Sequence, residues 1–524
     1  MRYILGLLLL ISMTLFAQTN TPAPFPSFET NESNTTQVEN NVSLIDEQKN
    51  TPLVEEEKKY NWFAGDEVSP KIYDFIDTIE HDASLICQER LRTDKLRKLI
   101  DRYNASHDPM LKEELEYEGN KLAVQYNKIK SQGCFDPSKF LKDNYIRPSK
   151  KGIEDIDNPV LLHLYSALAK YKEIEQNGGW EKIEVKDIPF LRYGKRYDVI
   201  PQIKKRLKAE GFYPYDDNGT KFDDRFLLAV KKFQAHNGIK VDGVVGPATI
   251  DKMNIPVENK IDKILINIER ARWFLRNDDY FVFVDIPGFF MHVYDHGKKI
   301  FESKVIVGRR KRPTPQMRNV ISYAVLNPYW RAPKTIIKED ILPRLQSGDF
   351  QHLIDEGIVA ATDYNGKNVV DFNDINWSQY SENNLPVIFL QKPGPRNFLG
   401  YVKFMFPNRF DVYLHDTNSK RLFRYDFRAL SSGCVRVQKP IELFHLLRNH
   451  TSSKEVTYRD ILDKLWDGKT KRVRFKPIIP VYLLYLTVYE DNNGDVYFFK
   501  DIYNLDKAML VKLRLHKNGR IASN

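Results

Sequence analysis

The sequence predicts a multidomain α+β protein with a helical scaffold, a three-helix module and a mostly β domain that carries a lid-like insertion. Two observations carry this prediction. The chain has 524 residues with 42% hydrophobic and 12% aromatic content, and at roughly 150 residues per domain that allows about three cores. Apolar spacing also changes near residue 277, from helical intervals to β-branched and aromatic runs. Charged residues at 29% and a mean hydropathy of −0.50 exclude a polytopic membrane protein, a collagen-like chain and a wholly disordered one. Three cysteines are too few for a disulfide scaffold or a structural zinc cluster.

Residues 1–17 read as a signal peptide. Arg2 precedes the apolar run Ile4–Phe16, and Ala17-Gln18 offers a cleavage site. The run is short for a membrane span, which needs ~20 residues. Leu15 fits the −3 position poorly, so cleavage and an uncleaved anchor both stay open. An exported, periplasmic protein is expected. Residues 18–60, rich in Asn, Thr, Glu and Pro, read as a disordered linker. That linker is acidic, and the body from Asn61 onward carries +14 of the overall +10. A basic body suits an anionic polymer, although lysine-rich solubility explains the charge equally well.

Residues 61–185 are expected to form the helical scaffold, with helices over Ala83–Ile100, Met110–Lys130 and Val160–Gln176. Cys87 and Cys134 lie here, and the sequence leaves open a disulfide between them or two buried thiols. Residues 186–256 form a compact unit, with Ile200, Ile203 and Leu207 on one helical face and Phe226, Val230 and Phe233 on another. Pro247 sits where a third helix can begin without losing a needed N–H. A charged helix over 257–276 reads as a connection. The β domain spans 277–478, with strands expected at Tyr280–Ile286, Phe289–Tyr294, Ile300–Val307, Val320–Leu326, Pro386–Leu390, Val402–Phe406 and Asp411–His415. Residues 338–384 are too long for a simple connection and read as a lid. Residues 479–524 read as a β-rich extension.

The chemistry concentrates in YLHDTNSKRLFRYDFRALSSGCVRVQKP, Tyr413 to Pro440. His415 ends a strand-like run, and Cys434 follows within Ser431-Ser432-Gly433-Cys434-Val435-Arg436. A cysteine paired with imidazole can be a thiolate near neutral pH. Gly433 lets the backbone approach a substrate closely. The amides of Ser432, Gly433 and Cys434 can face a developing oxyanion, and His415 can take the thiol proton. No phosphate loop, metal-ligand spacing or nucleic-acid motif stands out, so neither cofactor nor nucleic acid is expected.

This segment resembles the YkuD-fold L,D-transpeptidases, whose signature is His, a spacer of similar length, Ser/Thr, usually His, then Gly-Cys. Ser432 stands where much of that family has His. The run Ser-Ser-Gly-Cys-Val-Arg-Val resembles the large periplasmic YcbB-type branch, as do Leu326-Asn327-Pro328-Tyr329-Trp330 and Pro393-Gly394-Pro395. The stretch LKAEGFY…AVKKFQAHNGIKVDGVVGPATIDKM resembles the peptidoglycan-binding-domain-1 module. The resemblance implies Cys434 as nucleophile and His415 as base, with Ser431, Ser432 and Gly433 shaping the loop. It implies Tyr413 as a pocket wall. Arg436 is either a carboxylate anchor or a structural ion pair, and Trp330 either an acyl-donor contact or packing. Asp416 is implied to hold His415, through backbone or side chain.

The reaction so implied is acyl transfer on peptidoglycan stem peptides. Cys434 displaces D-Ala to form a thioester, and a diaminopimelate amine resolves it into a 3→3 cross-link. Water as acceptor would make the protein an L,D-carboxypeptidase, and a non-catalytic wall-binding protein is the rival from another class. Partner proteins in wall synthesis are left open.

Overall fold

The computed structural model describes residues 60–141, 156–184 and 190–517. The signal peptide and nearly all of the linker expected over 1–60 lie outside them. Among the described residues, buried apolar side chains gather in four clusters, one each for the three-helix module and the insertion and two larger ones.

Three scaffold helices begin in the same way, with a polar cap followed by proline. Helix α1 spans Pro70–His81 and α2 spans Thr93–Ser106. Helices α3 and α4 span Pro109–Gln132 and Pro159–Gln176. The side chains of Ser69, Asp108 and Asn158 accept from the backbone amides of Lys71, Met110 and Val160. Each following proline occupies a position whose N–H would be unpaired anyway. The helix expected from Ala83 starts only at Thr93. Asp82 takes both the amide and the hydroxyl of Ser84, a local bonding that competes with helix formation. The resulting loop is tied down by a disulfide between Cys87 and Cys134, with Cα atoms 5.9 Å apart.

The three-helix module comprises α5 (Ile200–Ala209), α6 (Asp224–His236) and α7 (Pro247–Met253). Ile200, Ile203, Leu207, Phe226, Val230 and Phe233 share its core. Helix α8, Val257–Phe274, corrects the reading of a connecting helix. Every residue from Ile264 to Leu275 is buried. It packs with α4 on one side and with Phe281, Phe283 and Tyr482 of the sheet on the other. Two of its charged side chains find partners inside the protein: Arg270 pairs with Asp506 at 2.6 Å, and Arg272 donates to Ser84 and Tyr165.

The main sheet uses β1 (Tyr280–Asp285), β2 (Phe290–Asp295), β3 (Lys298–Gly308) and β4 (Met317–Leu326). The insertion contributes β5 (Trp330–Arg331), β6 (Val359–Ala361), β7 (Val369–Val370) and β8 (Ile388–Gln391). The main sheet continues with β9 (Val402–Met405), β10 (Leu414–His415), β11 (Ala429–Ser431) and β12 (Val435–Val437). It ends with β13 (Lys471–Leu484). Its order is β11-β3-β12-β10-β9-β4-β13-β1-β2, and β2 also pairs with β3, so eight of the strands close on themselves.

Two boundaries move. The insertion has its own four-stranded sheet, β5-β8-β6-β7, and a core running from Trp330 to Leu399, wider than 338–384. The Pro386–Leu390 strand joins that sheet. A short apolar run shows a strand but not which sheet accepts it. Strand β13 passes through residue 478, pairing antiparallel with β4 and parallel with β1. The C-terminal segment is therefore continuous with the main sheet at its start.

Candidate active site

Strands β10 and β12 run parallel, with Leu414 opposite Val435 and His415 opposite Arg436. Leu414 and Val435 are fully buried in the β-domain core. Side chains alternate across a strand, so Tyr413, His415, Cys434 and Arg436 all project to the opposite face. The Val435 amide donates to the Tyr413 carbonyl at 3.1 Å, which fixes Cys434 beside Tyr413. Four of the residues singled out from sequence thus meet on one patch, and the spacing of two within each pair is the reason.

The imidazole of His415 is buried and its Nδ1 bonds the backbone carbonyl of Asp416. A carbonyl only accepts, so Nδ1 carries the proton and Nε2 keeps its lone pair for another proton. Burial, and then the Arg436 cation, drive the imidazole pKa down to about 3. Burial pushes the Cys434 thiol up to about 11, against the bond with Tyr413 and the attraction of Arg436. The resting pair is neutral thiol and neutral imidazole at pH 7. The sequence left room for a thiolate; desolvation of the thiol and the imidazole works against it.

The nucleophile loop is held from within and from below. Ser431 donates to the Cys434 carbonyl at 2.6 Å and accepts the Gly433 amide at 3.2 Å. The Gly433 amide is therefore engaged, which corrects its place among the oxyanion donors. The amides of Ser432 and Cys434 are the loop's candidates for that task. Gly433 adopts φ +117°, a backbone conformation that favours glycine. Its carbonyl accepts from Thr314 Oγ1 at 2.7 Å, and Thr314 in turn accepts the Gly308 amide at 2.9 Å. A Cβ on Gly308 would lie 2.2 Å from the Arg312 carbonyl, so glycine there permits the close approach.

The remaining candidates separate. Asp416 positions His415 through its carbonyl. Its carboxylate accepts the Tyr401 and Thr417 amides at 2.9 and 2.7 Å and pairs with Lys420, so it is not free to bind substrate. Trp330 is buried in the insertion's core, edge-on to Phe398 at 4.9 Å between centroids, which is the packing alternative. Tyr413 packs against both the insertion core and the β-domain core. Its ring lies 5.6 Å from that of His415. Arg436 has no carboxylate partner among the described residues, and its Nε is buried without a hydrogen bond.

Sequence reasoning missed three residues near the loop. Lys403 lies opposite His415 on β9, signalled only by a lysine between two buried positions. Thr314 stands between two prolines, Pro313 and Pro315, a setting that suggests a turn and no role in the site. Arg312 donates to Ser432 Oγ at 3.0 Å, and nothing in its Arg-Lys-Arg setting distinguishes it. Among the described residues no group of three His, Cys, Asp or Glu side chains is placed to hold a metal ion.

Two protein families match parts of the chain. Residues 279–470 match the YkuD family, described as an L,D-transpeptidase catalytic domain, and residues 196–253 match a family described as "Putative peptidoglycan binding domain". A Haemophilus influenzae protein named "Putative L,D-transpeptidase" is 35% identical over 251 residues, covering 48% of this chain and 49% of its own. The chain thus matches about half the length of that relative. An L,D-transpeptidase crystal structure from Stackebrandtia nassauensis is 15% identical, over 56% of this chain and 94% of its own, with a TM-score of 0.22. One from Xylanimonas cellulosilytica is 12% identical, over 57% and 100%, with a TM-score of 0.18. On the sequence matches, this chain carries the L,D-transpeptidase catalytic domain of the YkuD family and, ahead of it, a peptidoglycan-binding domain.

Proposed function

We propose that the protein is a periplasmic murein L,D-transpeptidase that forms 3→3 cross-links through a thioester on Cys434. The observation that carries this reading is the shared face of Cys434 and His415, with Asp416 O fixing the tautomer that leaves Nε2 basic. Cys434 attacks the carbonyl of a diaminopimelate residue while its proton passes to His415 Nε2. The Ser432 and Cys434 amides face the oxygen on which charge develops. D-Ala leaves with the proton from His415 and the thioester remains. The side-chain amine of a second stem then attacks, His415 takes its proton, and the thiol is restored. Arg436 supplies positive charge beside both reacting groups, which favours the thiolate over the imidazolium. The peptidoglycan-binding domain keeps the enzyme on its polymeric substrate, and the N-terminal signal delivers it there.

The test is mass spectrometry of disaccharide-tetrapeptide incubated with the protein, beside a Cys434→Ala control. A Cys434-dependent dimer that has lost one D-Ala is expected. Tripeptide without dimer would assign the protein to hydrolysis, as an L,D-carboxypeptidase. D-Ala release by the Cys434→Ala control would remove the thioester. No product from either, with wall binding retained, would leave a binding protein.

A further inference from the structure

The charged residue of this face that the mechanism above leaves unused is Lys403. In the antiparallel pair of β9 and β10, Lys403 lies opposite His415 and Phe404 opposite Leu414. Val402 and Phe404 point into the β-domain core. Directly opposed residues share a face, so the Lys403 side chain joins Tyr413, His415, Cys434 and Arg436. Its ammonium lies 5.4 Å from the centre of the Tyr413 ring. Burial, and then Arg331, work against its charge, whereas a thiolate at Cys434 would favour it.

The acids nearby do not neutralise this patch. The Asp416 carboxylate is taken up by two amides and Lys420, and Asp411 is exposed. Among the described residues, neither Lys403 nor Arg436 forms an ion pair with a carboxylate. Largely enclosed cations without counter-charge are costly, and two of them beside a nucleophile are matched by an anion that arrives with the substrate. In a peptide cleaved one residue from its end, the terminal carboxylate carbon lies within about 4 Å of the scissile carbonyl carbon. Lys403 lies opposite His415 and over the Tyr413 ring, on the face where Cys434 meets that end of the substrate.

We propose that Lys403 binds the terminal carboxylate of the acyl donor, holding the leaving D-amino acid while Cys434 attacks the carbonyl before it. This rests on the transpeptidase reading above and adds a preference for donors with a free C-terminus.

The test separates the two. Turnover of tetrapeptide by the protein with Cys434 intact tests the reaction. Binding in a Cys434→Ser background tests Lys403, by calorimetry with disaccharide-tetrapeptide and its C-terminal amide. The acid is expected to bind about 10- to 100-fold tighter than the amide, the size of a charge-assisted hydrogen bond. Adding Lys403→Met, of similar length and uncharged, should reduce that preference to about threefold or less, and Lys403→Arg should keep most of it. Lys403→Gln replaces the methionine variant if the latter unfolds. Equal affinity for acid and amide, an undiminished preference without Lys403, or binding of neither peptide would overturn the assignment.

Discussion

A neutral thiol beside a neutral imidazole means that Cys434 becomes nucleophilic as its proton leaves, not before. With the thiol held near pH 11, the thiolate fraction below that value grows about tenfold per pH unit. Alkylation of Cys434 by iodoacetamide should therefore accelerate steadily between about pH 6 and 9. The measurement is a pH–rate profile by intact-mass spectrometry; a plateau through neutrality would instead report a preformed thiolate–imidazolium pair. At this scale the sequence was most legible. A strand places residues two apart on one face, so His415 drew in Tyr413, and Cys434 drew in Arg436. The loop interior was less legible, because the hydroxyl of Ser431 and the amide of Gly433 could each serve substrate or scaffold. Only their bond to one another shows which.

The insertion bears on the nucleophile loop through Arg312. Arg312 donates to Glu339 at 2.8 Å through Nε, and to Asp340 at 2.8 Å and Ser432 at 3.0 Å through Nη1. Glu339 and Asp340 belong to the π-helical turn Ile337–Ile341, so the guanidinium ties that turn to a residue two positions from Cys434. Both carboxylates are about half exposed, and solvent screening limits the link to about 1 kcal/mol. Arg312→Gln should raise amide exchange across residues 337–341 about fivefold and leave the β-domain core unchanged, as hydrogen-exchange mass spectrometry would show. Unchanged exchange in the turn would mean that insertion packing alone holds it. The sequence marked an insertion by its length but underestimated it. Ile388 and Phe389 satisfy a strand pattern equally well in either sheet, and only pairing with Ala360 and Ala361 assigns them to the insertion.

Across the whole molecule, scaffold, module and spine helix meet at one buried carboxylate. Glu210, one residue past the end of α5, accepts from Tyr171 of α4 and Lys260 of α8, each at 2.5 Å, and pairs with Arg206 at 2.7 Å. Lys260 and Glu210 lie 50 positions apart in sequence, and each alone reads as a solvated charge on an amphipathic helix. Local periodicity contains no term for such a pairing, which is why α8 was legible as a helix but not as a buried one. Burial opposes the ionised Glu210, yet Lys260 and Arg206 outweigh it and hold the carboxyl well below its usual range. A carboxyl lowered on folding contributes stability that is fully present above its unfolded value of about 4.3 and is lost as pH falls below it. Glu210→Gln leaves two cations buried without a counter-charge, a change that costs about 3 kcal/mol or more at pH 7. The variant should also lose less stability than the parent between about pH 5 and 3, because it lacks the carboxyl that the unfolded chain protonates there while the folded chain keeps it ionised. Urea midpoints for both proteins at those pH values measure this. A loss under about 1 kcal/mol at pH 7, with parallel pH profiles, would show that water reaches the junction and that the three parts are held together by apolar packing alone.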